Sequence, residues 1–567
     1  MGNYTYSNVP VLRRRRSRFD LSHGVKTSAN VGTLYPFDVQ EVYAGDTFKV
    51  NTACVSRLSS QFLRPIMDNL FLDVYYFYVP SRLLYDKFVN VFGENTESPW
   101  ANTKEYTVPA VRGNIGVSGA LKVSPKSVAD YMGLPVGQLN RKDISVLPFR
   151  AFAKIYDEWF RDENNISPMH IQTGERVESE VLNNSPWSPS NYTGMPPKVA
   201  KFHDYFTSCL PAPQKGNSVD LPLAVAGSQV PVVTSQSDNY VTEYPLVWRS
   251  TNTHHTPEML AGFHSLNLVQ SGNIGSNHHT AVFYDGDEPN QVSGEQIPVA
   301  PSNLVVNSSD LILNPVSVND LRFAFQYQKM LERDARGGTR YTEYLQSHFG
   351  VSAGDARLQR SEFLGGRRSP LSITQVTQTT GSDSDTSPLA QVGAYSHSLS
   401  KSRFVKGFVE HGYVIGVFCI RQFHTYQQGI ERFFTRSKRT DFYDPVFANI
   451  GEQPVYKSEL YGLGSLAEPQ PFGYNEAWAD LRGRPNKVTG QMRSGVTDSL
   501  DIWHLADNYT NAPTLNEQFI NETPVYLDRS ITVPSTSQDQ FILDFYIQNI
   551  AYREMPTYSV PSLIDHN

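Results

Sequence analysis

Short runs of apolar and aromatic residues, each closed by a turn signal, recur along most of this 567-residue chain. In the clearest run, Phe71 to Val79, every second residue from Leu72 to Tyr78 is apolar or aromatic, and Pro80 ends the run. Further strand-like runs occupy Val39–Val50, Phe408–Ile420, Pro524–Val533 and Phe541–Ile550, the last apolar on both faces and therefore expected to be a fully buried strand. Short strands joined by long connections predict a β-sandwich or a jelly roll.

Two stretches have the three- and four-residue spacing of an amphipathic helix. The first covers Leu147 to Asn165 and has Pro148 at its start. The second begins near Ser317 and ends at the glycine pair 337–338. Both have an aromatic stripe, which we expect to pack against the core.

Charge is distributed unevenly along the chain, whose formal net charge is -7. From Val219 to Asp320 there are ten acidic residues and one basic residue, Arg249, so this stretch carries -9 and the remainder +2. Either the stretch faces different surroundings from the rest, or it is an ordinary solvated insertion. The predicted division is a basic arm (1–36), a first part of the core with a helical loop insertion (37–216), an acidic surface insertion (217–315) and a second part of the core (316–567).

Several protein classes are excluded by the sequence patterns. No apolar stretch approaches the roughly 18 residues that span a bilayer, and the basic run near the N-terminus is not followed by the apolar segment of a signal peptide. The three cysteines lie far apart, so neither a disulfide framework nor a zinc knuckle is expected. The common nucleotide-binding, hydrolase and zinc-protease motifs do not occur. We therefore predict no enzyme activity, no cofactor and no metal site, and we interpret the histidines of the acidic insertion as loop residues.

Two basic clusters are candidate nucleic-acid ligands. The first lies on the arm and the second is interleaved with Phe433 and Phe434, whose rings offer faces for unstacked bases. The predicted ligands are Arg13, Arg14, Arg15, Arg16 and Arg18 on the arm, and Arg432, Arg436, Lys438 and Arg439 in the second cluster. Single-stranded nucleic acid fits this combination best, although the second cluster also fits an exposed surface patch without a ligand.

Six long motifs resemble the major capsid proteins of gokushoviruses, small single-stranded DNA phages of the Microviridae. They are spread from the arm to the C-terminus: RSRFDLSHGVKTS (16–28), LPFRAFAKIYDEWFRDENN (147–165), FTSCLPAPQKG (206–216), LRFAFQYQKMLERDARGGTRYTEYLQSHFGV (321–351), RLQRSEFLGG (357–366) and FILDFYIQNIAYREMPTYSVPSL (541–563).

The resemblance implies a viral jelly roll, an eight-stranded antiparallel β-sandwich with long inter-strand loops, a few helices and one large insertion. It further implies that copies of the chain assemble through pentamers into a T=1 icosahedral shell around circular single-stranded DNA, in the host bacterial cytoplasm. Its partners would be itself, the viral DNA, and small DNA-binding and other assembly proteins of the phage. The insertion would project at the threefold axes and bind a bacterial surface receptor.

Two other functions remain open from the residues alone. A lectin-like, carbohydrate-binding β-sandwich would also account for the aromatic content, but it predicts a secretion signal. A DNA-binding protein that forms no shell predicts a net positive charge, which this chain lacks.

Overall fold

A computed structural model gives the positions of most of the chain. It describes residues 16–94, 105–111, 121–140, 143–175, 185–217, 219, 233–234, 248–250, 266–270, 279–284, 296–301, 304–305, 318–338, 340–372, 375–377, 392–395, 398–464 and 470–558. The chain divides into two compact units. One combines Met1–Asn217 with Met330–Asn567, and the other is Ser218–Lys329.

Nine strands build the two main sheets of the larger unit. They are β1 (Ser17–Asp20), β2 (His23–Ala29), β3 (Tyr35–Val42), β4 (Thr47–Leu58), β5 (Leu70–Pro80), β6 (Glu362–Leu371), β7 (Ser398–Gly407), β8 (Gly412–Gln422) and β9 (Phe541–Arg553). The first sheet has the order β1-β9-β4-β7, with β2 also paired to β9, and the second has the order β6-β5-β8-β3. Every pairing in both sheets is antiparallel.

The inner faces of the two sheets meet in the main core. In β4 every second side chain from Phe48 to Leu58 is buried, because successive residues of a strand point to opposite faces. Phe37 of β3 stacks on Phe545 of β9 with ring centroids 4.2 Å apart, so this contact joins one sheet to the other. The fold is therefore mainly β, with antiparallel sheets packed as a sandwich and few helices, as the sequence predicts.

A second core lies behind β5, which is buried on both faces. Tyr76 belongs to the core between the sheets, whereas Phe77 packs with Phe152 in the second core. The helix that closes this second core is α3, one of eight in the described chain. The helices are α1 (Phe88–Val91), α2 (Val128–Tyr131), α3 (Leu147–Ile155), α4 (Val318–Gly337), α5 (Tyr341–Phe349), α6 (Lys457–Leu460), α7 (Glu517–Ile520) and α8 (Val525–Asp528).

The two predicted helices differ in how their aromatic stripes are used. In α3 the part of the stripe up to Ile155 is buried as predicted. The helix continues through a single π-helical turn that ends at Phe160, five residues short of the predicted end, and in this turn Trp159 is exposed. In α4 the prediction of a core-packing stripe is wrong, because Phe323, Phe325 and Tyr327 are exposed. Spacing places such rings on a helix surface, but whether another element covers them depends on tertiary structure.

Two strand predictions also need correction. The strand Phe541–Ile550 is present as part of β9 but only one of its faces is buried, since Ile542 and Tyr546 point to solvent. The segment Pro524–Val533 is not a strand, because α8 begins directly after Pro524, a residue favoured at helix starts.

The sequence predicts an arm over residues 1–36, but from Ser17 onward the structure has strands instead. Strands β1 and β2 pair along β9 with a continuous antiparallel register, Ala29 opposite Phe541 and Ser17 opposite Arg553. The edge of β9 offers unpaired N–H and C=O groups, which these residues satisfy. Residues 1–15, with Arg13 to Arg15, lie outside the described residues.

Short strands and turns fill the long connections of the larger unit. The strand pairs are Ala110–Val111 with Ile144–Ser145, Lys122–Val123 with Gly137–Gln138, Gln375–Thr377 with Val392–Tyr395, Glu452–Tyr456 with Pro471–Glu476, and, in parallel, Thr425–Tyr426 with Asn486–Lys487. Short 3-10 helices cover Ser81–Leu83, Arg432–Thr435, Arg439–Asp441, Pro445–Phe447, Ala479–Leu481, Gly490–Met492 and Asp501–Trp503.

The smaller unit has its own β structure. Its four-stranded antiparallel sheet has the order Trp248–Ser250, Gln296–Pro301, His279–Tyr284 and Leu266–Gln270. A separate antiparallel pair joins Val233–Thr234 to Leu304–Val305.

A buried charge cluster lies in the connection between β8 and β9 and includes Lys201 from the connection between β5 and β6. His424 lies between two carboxylates: its Nδ1 is 2.6 Å from Asp507 Oδ1 and its Nε2 is 3.0 Å from Glu522 Oε2. Lys201 Nζ is 3.2 Å from the other oxygen of Asp507. Although burial lowers the pKa of His424, the two carboxylates raise it to about 10, so this imidazole is protonated at neutral pH.

Candidate nucleic-acid interface

The outer face of the first sheet is rich in basic side chains. Because strand residues alternate between faces, the buried positions of β4 and β7 leave their neighbours pointing outward. Lys26 of β2 points outward and is paired with Asp544. The other outward cations are Arg18 of β1, Lys49 and Arg57 of β4, and Lys401 and Arg403 of β7, and we call these last five the basic sheet face.

All five cations are exposed, and none has an ion-pair partner within 4.0 Å among the described residues. Two acidic residues, Asp20 and Asp544, are also exposed on this sheet. Asp544 is paired with Lys26 at 3.0 Å, and Asp20 accepts a hydrogen bond from the backbone N–H of Ser22 at 3.0 Å. Unpaired cations on one surface create a positive potential that attracts a polyanion. This sheet surface therefore suits phosphate groups.

A groove of about 780 Å³ crosses the basic sheet face. Three of its lining residues are the cations Arg18, Lys49 and Arg403, and no carboxylate is among the described residues that line it. Its other polar groups include the amides of Asn51 and Gln548, and the ring of Tyr552 belongs to the same lining set. Phosphates can bind the cations while amides and a ring contact bases, which is the chemistry of single-strand binding.

Two of the predicted arm ligands, Arg16 and Arg18, fall within the described residues, and Arg18 is the one that lies in this groove. Arg18 lines it directly, opposite Tyr552 in the pairing of β1 with β9. Arg16, two residues earlier, lies 3.5 Å from Glu554, and both side chains remain about half exposed. The arm therefore enters the larger unit at the basic sheet face.

The second predicted cluster is located elsewhere, in the connection between β8 and β9, and half of its charge is used within the protein. Arg436 forms an ion pair with Asp480, and Arg432 lies 3.9 Å from Glu459. Lys438 and Arg439 are exposed. That these four residues bind nucleic acid remains a prediction, and the structure does not bring them into the groove on the sheet.

Sequence reasoning missed four of the five cations of the basic sheet face. Lys401 and Arg403 are two residues apart in a strand that alternates with buried Ser400, Ser402 and Phe404. That alternation in the sequence could have predicted a strand with Lys401 and Arg403 on its exposed face. Lys49 and Arg57 are eight residues apart, and only the strand assignment of β4 places them on the same side.

The described residues contain no group of three or more side chains arranged to hold a metal ion. Within the same residues, no helix has both the length and the apolar character needed to cross a membrane. The three cysteines, Cys54, Cys209 and Cys419, are buried and unpaired, and burial raises the pKa of each thiol.

Comparison with known proteins gives one consistent result. Residues 7–563 match a family model described as capsid protein (F protein). The chain is 37% identical to capsid protein VP1 of Chlamydia phage 1, over 98% of this chain and 97% of that protein. It is 37% identical to capsid protein VP1 of Spiroplasma virus 4 (97% and 95% covered) and 35% identical to that of Bdellovibrio phage phiMH2K (99% and 97% covered). These relatives are capsid proteins, so the comparison favours a coat protein over a carbohydrate-binding protein or a DNA-binding protein that forms no shell.

Proposed function

This chain belongs to the phage capsid protein (F protein) family, as its gokushovirus-like motifs predict, and on that premise we propose that its copies assemble through pentamers into a T=1 icosahedral shell around circular single-stranded DNA. Its activity is then self-assembly, with no catalytic step.

The proposed building block is an eight-stranded jelly roll formed by β2 to β9, with β1 as an additional short strand. The strand order supports this topology. Along the chain, β2, β4, β7 and β9 belong to one sheet and β3, β5, β6 and β8 to the other, so the chain crosses between the sheets at every step except from β5 to β6. This alternation is the pattern of two Greek keys wrapped into a double sheet.

The basic sheet face and the arm are the proposed DNA-binding surface, directed to the interior of the shell. The observation that carries this proposal is a group of five exposed cations on one sheet face, none with an ion-pair partner among the described residues, of which Arg18, Lys49 and Arg403 line one groove. Arg13, Arg14 and Arg15 would extend the same surface along the arm, and small basic proteins of the phage would share the neutralisation of the genome.

The acidic insertion, 217–315, is the proposed outer protrusion at the threefold axes, which would bind a bacterial surface receptor. Two observations support its separation from the shell. Except for Asn217, it falls within a separate compact unit, Ser218–Lys329. Its excess of acidic residues also contrasts with the unpaired cations of the basic sheet face. Negative charge on the outside would keep this surface from binding the genome.

The test is to express the full chain in bacteria, treat the lysate with nuclease and examine the product by sedimentation and negative-stain electron microscopy. Uniform spherical particles that protect single-stranded DNA, or pentamers that convert to particles when the phage assembly proteins are supplied, are the expected result. A monomer that persists with those proteins present would overturn the proposed function.

A further inference from the structure

A 21-residue part of the connection between β8 and β9, residues 430–450, exposes an unusual number of large apolar side chains; we call it the apolar segment. The two most exposed are Phe434, at 72%, and Val446, at 83%. The complete set is Ile430, Phe433, Phe434, Phe442, Tyr443, Val446, Phe447 and Ile450. Isolated exposed apolar residues are common, but eight in one short segment mark an interaction surface.

None of the residues in the three 3-10 helices of the apolar segment is buried, so contacts with other residues hold the segment in place. Trp478 fixes it to the larger unit, because its indole Nε1 donates a hydrogen bond to the carbonyl oxygen of Phe447 at 2.9 Å. The same indole packs edge-on against Tyr443, with ring centroids 5.5 Å apart. Asp444 accepts a hydrogen bond from the backbone N–H of Val446 at 3.0 Å and so fixes the last turn. A surface held in place before binding loses little entropy when a partner covers it.

The apolar area that the segment exposes is similar to the area that one partner buries in a standard protein–protein interface. The eight side chains together expose the equivalent of about four complete large side chains, or roughly 800 Å² at about 200 Å² each. A standard protein–protein interface buries about 800 Å² per partner. The aromatic and arginine content of the segment is also typical of interface centres.

The charges of the segment fit nucleic acid less well than those of the basic sheet face. Arg432 and Arg436 are near or paired with carboxylates, which reduces the positive charge left for phosphate. Lys438 and Arg439 remain, with Asp441 in the same turn.

We propose that the apolar segment is a contact surface for a neighbouring copy of this chain in the shell, with Phe434 and Val446 as its anchors. The inference rests on the proposed function, because a closed shell of identical subunits covers such a surface by repeating one contact. On this proposal, Phe433 and Phe434 of the second basic cluster contact a neighbouring subunit, and the basic sheet face binds the DNA.

The experiment compares four full-length proteins: wild type, Val446→Asp, Phe434→Ser, and the control Thr440→Asp. The control adds the same charge at an exposed polar position of the same segment. Thermal unfolding and far-UV circular dichroism report folding, sedimentation and electron microscopy report assembly, and fluorescence anisotropy with a dT30 oligonucleotide reports DNA binding. Val446→Ser, which adds no charge, is the second variant should the aspartate perturb folding.

We expect both anchor variants to remain folded and to bind dT30 like the wild type, while particle yield falls about tenfold or more. The control should assemble normally. Anchor variants that assemble like the wild type would overturn the inference and leave the proposed function intact. Anchor variants that assemble but lose DNA binding would overturn it as well, because the segment would then be a nucleic-acid site. A wild type that never assembles would overturn the proposed function and the inference with it.

Discussion

Removal of charge from the basic sheet face should weaken DNA binding by an amount that follows from counterion release. The variant replaces Lys49, Lys401 and Arg403 with glutamine. All three are exposed and have no ion pair among the described residues, so their replacement breaks no salt bridge seen in the structure. For single-stranded DNA, each phosphate contact contributes about -0.7 to the slope of log K against log salt concentration. Loss of three contacts should therefore make the slope less negative by about 2.

The measurement is fluorescence anisotropy of a labelled dT30 oligonucleotide with unassembled full-length protein across a series of NaCl concentrations. The slope difference does not depend on how many contacts the arm makes, because the arm is the same in both proteins. A slope change of about 2 means that the affinity advantage of the wild type shrinks roughly a hundredfold for each tenfold rise in salt concentration. Lys26→Gln is the matched control, since Lys26 is on the same sheet but paired with Asp544, at 3.0 Å. Equal slopes for the wild type and the triple variant would refute the assignment of this face to DNA.

Three further outcomes are expected. The pKa of His424 is raised to about 10, above the ~6.5 of an unfolded histidine, so its stabilisation is complete below pH 6.5 and lost as the pH rises to 10. We expect the free energy of unfolding of the wild type, measured with urea, to exceed that of His424→Gln at pH 6.5. This difference should fall by on the order of 4 kcal/mol between pH 6.5 and pH 10. A difference that does not change with pH would contradict the role of the protonated His424. Phe37→Ala, which removes the ring stacked on Phe545, should cost about 3–5 kcal/mol by the same assay, and a loss below about 1 kcal/mol would argue against a contact between sheets at this point. Replacement of residues 217–315 by a short flexible linker should leave the sandwich folded by circular dichroism but abolish host attachment in an adsorption assay, and a deletion variant that cannot fold would contradict the separation of the two units.

Local patterns in the sequence were sufficient to predict elements whose type depends on residues close together in the chain. The alternation in Phe71–Val79 predicted β5, and the spacing from Leu147 predicted α3 and its buried stripe. The motifs also identified the family, because they are long and specific. Charge counting found the acidic stretch from Val219 to Asp320, because net charge is a property of composition and needs no fold.

Other features were decided only by tertiary structure, because they depend on residues that are distant in the chain. The pairing of β2 with β9 joins His23 to Ile547, and nothing near residue 23 indicates that its partner strand lies close to the C-terminus. The same holds for the basic sheet face, where Arg18, Lys49 and Arg403 line one groove although they come from three strands. Whether a patterned surface is covered is a tertiary question as well: α3 and α4 both have aromatic stripes, yet that of α3 is buried in a core and that of α4 is exposed. The sequence by itself therefore determined the family and those elements with a strong local pattern, such as β5 and α3, whereas only the fold decided which faces are buried and which distant cations share a surface.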